Sequence, residues 1–172
     1  MGMDVYGKNP INEDGEYFRR NVWGWHPLWN YVEDNYPEIA ELVEYAHSNS
    51  GDGLDEENSK KLAELLMSDY NSTKVIEYVE ERNRKISEIP FPECEICNGT
   101  GIRTDELGVE NGWTTRELTP DIAIIVGRSV GSCNGCGGIG KRESTASWYY
   151  LEPEDIREFA QFLKNCGGFE IC

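Results

Sequence analysis

Long apolar runs are missing from this sequence. No stretch of eighteen apolar residues occurs in its 172, which excludes a membrane-spanning helix. The opening Met-Gly-Met-Asp-Val-Tyr holds no basic segment followed by an apolar one, so no secretory signal is expected and the protein is placed in the cytoplasm. Histidine is scarce: His26 and His47 are the two present, in His-Pro-Leu and His-Ser-Asn. Neither begins the H-x-E that supplies the general acid/base of a zinc deaminase. Basic residues are the third shortage. Lys and Arg number 16 against 32 Asp and Glu, a formal net charge of −16, and none falls between Arg20 and Lys60. That interval holds Glu33, Asp34, Glu38, Glu41, Glu44, Asp52, Asp55, Glu56 and Glu57. Such a field repels phosphates, which argues against direct DNA or RNA binding. It attracts a basic protein surface, so these nine carboxylates are the candidate partner-binding residues. A solvated acidic face is the plainer alternative.

Against these shortages stand six cysteines, four of them in two matched turns. Cys94-Glu95-Ile96-Cys97-Asn98-Gly99-Thr100-Gly101 and Cys133-Asn134-Gly135-Cys136-Gly137-Gly138-Ile139-Gly140 both spell C-x-x-C-x-G-x-G, with 35 residues between Cys97 and Cys133. Two residues between paired cysteines let a tight turn aim both sulfurs at one ion. Glycines just beyond supply the positive φ that folds the chain back over it. Four thiolates complete a closed tetrahedral site, so Cys94, Cys97, Cys133 and Cys136 are the expected ligands of one structural Zn²⁺. A redox dithiol normally comes singly beside a βαβ pattern, which this chain lacks. In a chain without an export signal, cysteines read as reduced thiols or ligands rather than a disulfide framework. Cys166 and Cys172 are left as thiols with no base placed beside them by sequence.

The repeated C-x-x-C-x-G-x-G at Cys94–Gly101 and Cys133–Gly140 resembles the cysteine-rich repeat of DnaJ-type chaperones, where paired repeats hold zinc. The likeness covers the two turns alone. That family carries four repeats and a J domain marked His-Pro-Asp, whereas this chain has two repeats and His26-Pro27-Leu28. The resemblance therefore implies metal-site geometry and not co-chaperone activity. The whole sequence, with its start Gly2-Met3-Asp4-Val5-Tyr6-Gly7 and its end Gly167–Cys172, also looks like small proteins from bacteria and their phages, a likeness that implies no function.

Three near-motifs fail on chemistry. Ser48-Asn49-Ser50-Gly51-Asp52-Gly53 imitates a calcium loop, but its first and twelfth places are Ser48 and Ser59. Gly135–Arg142 imitates a phosphate loop, but ends in Arg142 where a magnesium-binding hydroxyl is required. Pro92 stands two places before Cys94, which spoils P-C-x-x-C.

The remaining pattern predicts an α+β fold. Met3–Tyr6 and Tyr17–Trp25 read as a wide hairpin, and Pro27 and Pro37 as first-turn prolines of helices. Ile39, Leu42, Val43 and Ala46 continue one helical stripe. Asp55 caps a helix to about Tyr70 with Leu62, Leu65 and Leu66 inward; Val75, Ile76, Val79 and Ile86 line the next. Ile89-Pro90-Phe91-Pro92 is an extended connector. It divides an acidic, mainly helical lobe, 1–89, from a zinc-stapled α+β lobe, 90–172. Ile102–Thr104 and Trp148–Leu151 suit strands; Ile122–Val126 suits either a short helix or a strand, and Thr119-Pro120-Asp121 favours the helix. Pro153 opens a helix with Ile156, Phe159, Ala160 and Leu163 inward, stopped by Gly167-Gly168 before a strand-like tail.

These features favour a non-enzymatic zinc-binding module that docks on another protein with a basic surface, including an acidic phage-type inhibitor or nucleic-acid mimic. One alternative is an enzyme with a carboxylate/His site at the lobe seam, drawing on His26, Arg19 and Cys172. Another is chaperone-like client binding, which rests on the DnaJ resemblance alone.

Overall fold

A computed structural model describes residues 2–172 and shows an α+β fold in two compact units. The first joins the residues up to Ile86 with Trp148–Cys172; the second is Ser87–Ser147. This division differs from the expected 1–89 and 90–172. The C-terminal helix and strand belong with the N-terminal part, because their apolar faces are buried there.

In the first unit, β1 (Gly2–Gly7) lies between β2 (Tyr17–Asn21) and β3 (Phe169–Ile171), antiparallel to both. Met3 and Val5 alternate inward, and Val5 faces Phe18 on one side and Ile171 on the other. The tail expected to be strand-like is thus the third strand.

Helix α1 (Val22–Asn35) starts where a continued strand was expected through Trp25. Asn21 ends the strand by capping the helix: its side-chain oxygen accepts the Gly24 N–H at 2.9 Å. Trp25, Leu28, Trp29 and Val32 recur at i, i+3, i+4 and i+7, and all are fully buried. Pro27 consequently lies inside the helix and not in its first turn. Helix α2 (Pro37–Ala40) is shorter than the expected stripe. After it, Leu42 and Val43 donate to carbonyls three residues back, and the Asp52 carboxylate takes the Tyr45 N–H at 2.8 Å. Val43 and Ala46 stay buried, whereas Leu42 turns out to solvent.

Helix α3 (Glu56–Asn71) is capped by Asp55, which accepts the Asn58 N–H at 2.8 Å. Leu62 and Leu66 are buried and Leu65 is half-buried. Helix α4 (Lys74–Ser87) buries Val75 and Val79; Ile76 is exposed. The segment expected as a strand at Trp148–Leu151 is a 3-10 turn, Thr145–Trp148, followed by irregular chain.

After α5 (Glu106–Glu110) and α6 (Pro120–Val126) of the second unit, α7 (Pro153–Asn165) returns to the first and packs on α3. Its stripe is as expected, with Phe162 added. Asp155 accepts the Glu152 N–H at its own helix start and the Arg20 guanidinium at 2.9 Å, tying α7 to β2. The core between sheet and helices is aromatic: Phe18, Trp25, Trp29, Phe159, Phe162 and Phe169 meet at centroid distances of 5.2–6.5 Å.

Helix α6 confirms the helical reading of Ile122–Val126, with Gly127 at its left-handed C-cap. Ile102–Thr104 is not a strand; Arg103 makes one backbone bond, to Ser132.

Candidate metal centre

Both cysteine turns fold alike because the same positions carry the same backbone. Asn98, Gly99 and Gly101 have φ of 49°, 76° and 74°; their counterparts Gly137, Gly138 and Gly140 have 63°, 106° and 86°. The outcome is a shared pattern of N–H···S bonds. Gly101 donates to Cys97 Sγ and Gly140 to Cys136 Sγ, each at 3.2 Å, and Gly135 donates to Cys133 Sγ at 3.4 Å. The two turns also interlock. A Cβ at Gly101 would stand 2.2 Å from the Gly138 carbonyl oxygen, and one at Gly140 would stand 2.2 Å from that of Gly99. Glycine is required at both places by φ and by contact together. Cys94 N–H donates to Gly140 O at 2.9 Å, and a bridge between Glu93 and Lys141 continues the pairing.

The four Sγ atoms all lie within 4.8 Å of one another. Across the turns, Cys94–Cys133 is 3.9 Å and Cys97–Cys136 is 3.8 Å. Ligands about 2.3 Å from an ion at tetrahedral angles are about 3.8 Å apart. These two pairs already stand at the separation of tetrahedral ligands, and the donor set is all thiolate. Cys94, Cys97 and Cys133 are buried and Cys136 is half-buried.

Charge explains why a cation suits the cluster. Burial pushes the Cys97 thiol up to about 12 and raises Cys133. Burial works in the same direction on Cys94, but N–H groups of Ile96 and Cys97 outweigh it and bring that thiol down. Four thiolates so close repel, and a divalent ion offsets them. Arg128 adds a fixed positive charge, donating to Gly138 O at 2.7 Å, and Arg103 reaches Asn134 at 2.9 Å.

The nine candidate partner-binding carboxylates have mixed occupations. Asp55 caps α3 and Asp52 holds the Tyr45 and Gly53 N–H groups. Asp34 accepts the Tyr78 hydroxyl at 2.6 Å, Glu33 meets His47 Nε2 at 3.1 Å, and Glu56 pairs with Lys60. Glu38, Glu41, Glu44 and Glu57 are exposed. Glu33, Glu41 and Glu44 line an open cleft of about 480 Å³ with Pro37, Ala40 and Val43. Of the residues considered for an enzyme site, Arg19 pairs with Asp4 at 3.5 Å and Cys172 lies exposed at the chain end. His26 packs against His47 and Tyr149. None of these three lines that cleft or the second one, of about 640 Å³, beside Ile11, Ala63, Met67 and Ala160.

Sequence reasoning missed the interlock of Gly101 and Gly140 and the two arginines. The matching glycine tails were the available signal for the first; nothing local announced the second. Among the described residues no helix is long and apolar enough to cross a membrane. Compared with protein-family models, curated proteins and solved structures, the chain matches none.

Proposed function

We propose that Ser87–Ser147 is a zinc-folded module through which this protein docks on another protein in the cytoplasm. One observation carries the metal reading. The buried apolar cluster of that unit consists of Cys94, Cys97 and Cys133 with Cys136 packed beside them; no Leu, Ile, Val or Phe of the unit is buried. The first unit has a core of aromatic and aliphatic side chains. A segment of this size without an apolar core needs a staple. Structural zinc supplies about 10–16 kcal/mol in small folded modules. Zinc suits four thiolates, and four protein ligands leave no position for a reacting water. The likeness of the two turns to the paired zinc repeats of DnaJ-type chaperones supports the same ion.

What the module presents supports docking. Helix α6 buries none of its residues, and Ile124 and Ile125 are 81% and 67% exposed. Adjacent isoleucines held in water are costly unless a partner covers them. With an overall charge of −16, the partner surface that fits is apolar with a basic rim. Mimicry of nucleic acid draws less support, because Glu33, Asp34, Asp52, Asp55 and Glu56 are engaged by the fold itself.

Amide hydrogen exchange before and after chelation under reducing conditions tests the reading. Residues 87–147 are expected to lose protection while α1, α3 and α7 keep theirs. Full protection of 87–147 in metal-free protein would refute it. For the docking part, a photo-crosslinker at Ile124 is expected to capture a partner that Ile124→Asp/Ile125→Asp releases with the metal retained.

A further inference from the structure

We infer that His26, His47 and Glu33 form a second metal site, one that takes a divalent transition ion such as Ni²⁺ or Zn²⁺. The site is in the first unit, and it shares no residue with the cysteine cluster. His26, Asn30 and Glu33 stand at i, i+4 and i+7 of α1, one face of the helix. The turn after α2 lays His47 over that face. Its Nε2 is 3.1 Å from Glu33 Oε1, and its ring meets the His26 ring edge-on at 4.7 Å between centroids. Ligand atoms about 2.0–2.2 Å from one ion at tetrahedral to octahedral angles stand about 2.9–3.5 Å apart, so the His47–Glu33 pair already has a chelating separation.

The surroundings favour an ion over a plain hydrogen bond. Asn30, with its amide oriented to donate, bonds to Glu33 Oε2 at 3.2 Å and to the His26 carbonyl at 3.0 Å, which leaves Oε1 toward His47. Tyr149 stacks on the His26 ring with centroids 5.8 Å apart. Glu33 also lines the open acidic cleft with Glu41 and Glu44, and no Lys or Arg occurs from residue 21 to residue 59. A cation drawn into that field meets the two imidazoles at its edge.

Ion choice follows from the donors. Two imidazoles and a carboxylate suit Ni²⁺, Zn²⁺, Cu²⁺ and Co²⁺, whereas Mg²⁺ and Ca²⁺ prefer oxygen alone. Among the described residues the four sulfurs are the one set whose atoms already converge. The His26 ring therefore turns to complete the second site, and binding is weaker and faster to reverse than at the cysteines. Water fills the remaining positions.

The test is a calorimetric titration of Ni²⁺ into protein whose cysteine site is filled with Zn²⁺, at pH 7.5, with zinc release followed in parallel. One Ni²⁺ per chain is expected without zinc release. His47→Ala and Glu33→Gln, both exposed positions that leave the core untouched, are expected to abolish it. Asn30→Ala, a positioning change, is expected to weaken it ~10-fold. The Ni²⁺ d–d absorption should shift with binding and fail to do so in His47→Ala. Equal binding by wild type and His47→Ala, uptake only with displacement of zinc, or no uptake at all would each overturn the proposal.

Discussion

Tyr150 donates its backbone N–H to the carbonyl of Trp23 at 3.2 Å. In an uninterrupted helix that carbonyl belongs to the N–H of residue 27, and residue 27 is proline. The irregular chain before α7 thus repairs the bond that Pro27 removes from α1. An interior proline ordinarily costs ~3 kcal/mol. Here Pro27→Ala is expected to change stability by less than about 1 kcal/mol, because the new N–H finds its acceptor already used. Urea unfolding measures it; a gain near the full proline cost would show that Tyr150 repairs nothing.

Asp69 is the polar pin of the first unit. One of its oxygens, Oδ2, accepts the Tyr31 hydroxyl at 2.8 Å, the Tyr36 hydroxyl, and the Lys74 ammonium at 3.0 Å. Burial, and then the bond to Asp69, raise both phenols well above their ordinary value, so they remain donors. Asp69→Ala leaves two buried hydroxyls without an acceptor. It is expected to destabilise the protein by about 2–4 kcal/mol, and Asp69→Asn by less. Denaturant midpoints at constant slope decide this, and equal effects of the two variants would count against it.

Gly140→Ala and Gly137→Ala separate backbone strain from steric interlock. Both positions have positive φ, but a Cβ at Gly137 meets nothing within 4 Å. Gly137→Ala is expected to cost about 1–2 kcal/mol through φ alone and to keep its metal. Gly140→Ala drives a methyl into Gly99 O and is expected to lose the metal. Metal content after dialysis is the readout, and retention in both variants would remove the interlock from the argument.

The burial of His26 predicts the sign of a pH dependence in the fold's stability. Burial, then His47, lowers its pKa below 6.5, with Glu33 opposing. Above that value the ring is neutral in both states and its contribution is fully present. As the pH falls below it, the unfolded chain takes up the proton first, so stability declines until the folded pKa is passed. His26→Gln is expected to flatten the difference in unfolding free energy between pH 7 and pH 5.5. A steeper slope in the variant would mean that the sign is wrong.

Much of this was readable in the chain. The cysteine turns were, because thiolate spacing and glycine placement are local requirements of one ion. Asp55 and the α7 stripe were, because caps and helical period are local too. The start of α1 was not: Tyr17–Trp25 is aromatic throughout, and only the Asn21–Gly24 bond shows where strand gives way to helix. The shortness of α2 depends on Asp52 reaching back to Tyr45. The unit boundary was missed because Ile156, Phe159 and Leu163 declare a buried face without declaring what buries it. Nor does the spelling of α6 reveal that Ile124 and Ile125 are left largely exposed.

On this reading, four sulfurs from two interlocked turns hold one ion. X-ray absorption at the metal edge of protein purified under reducing conditions tests it most directly. A shell of four sulfurs at about 2.3 Å, one zinc per chain, is the expected result. A shell containing nitrogen or oxygen, or protein that carries no metal at all, would contradict it.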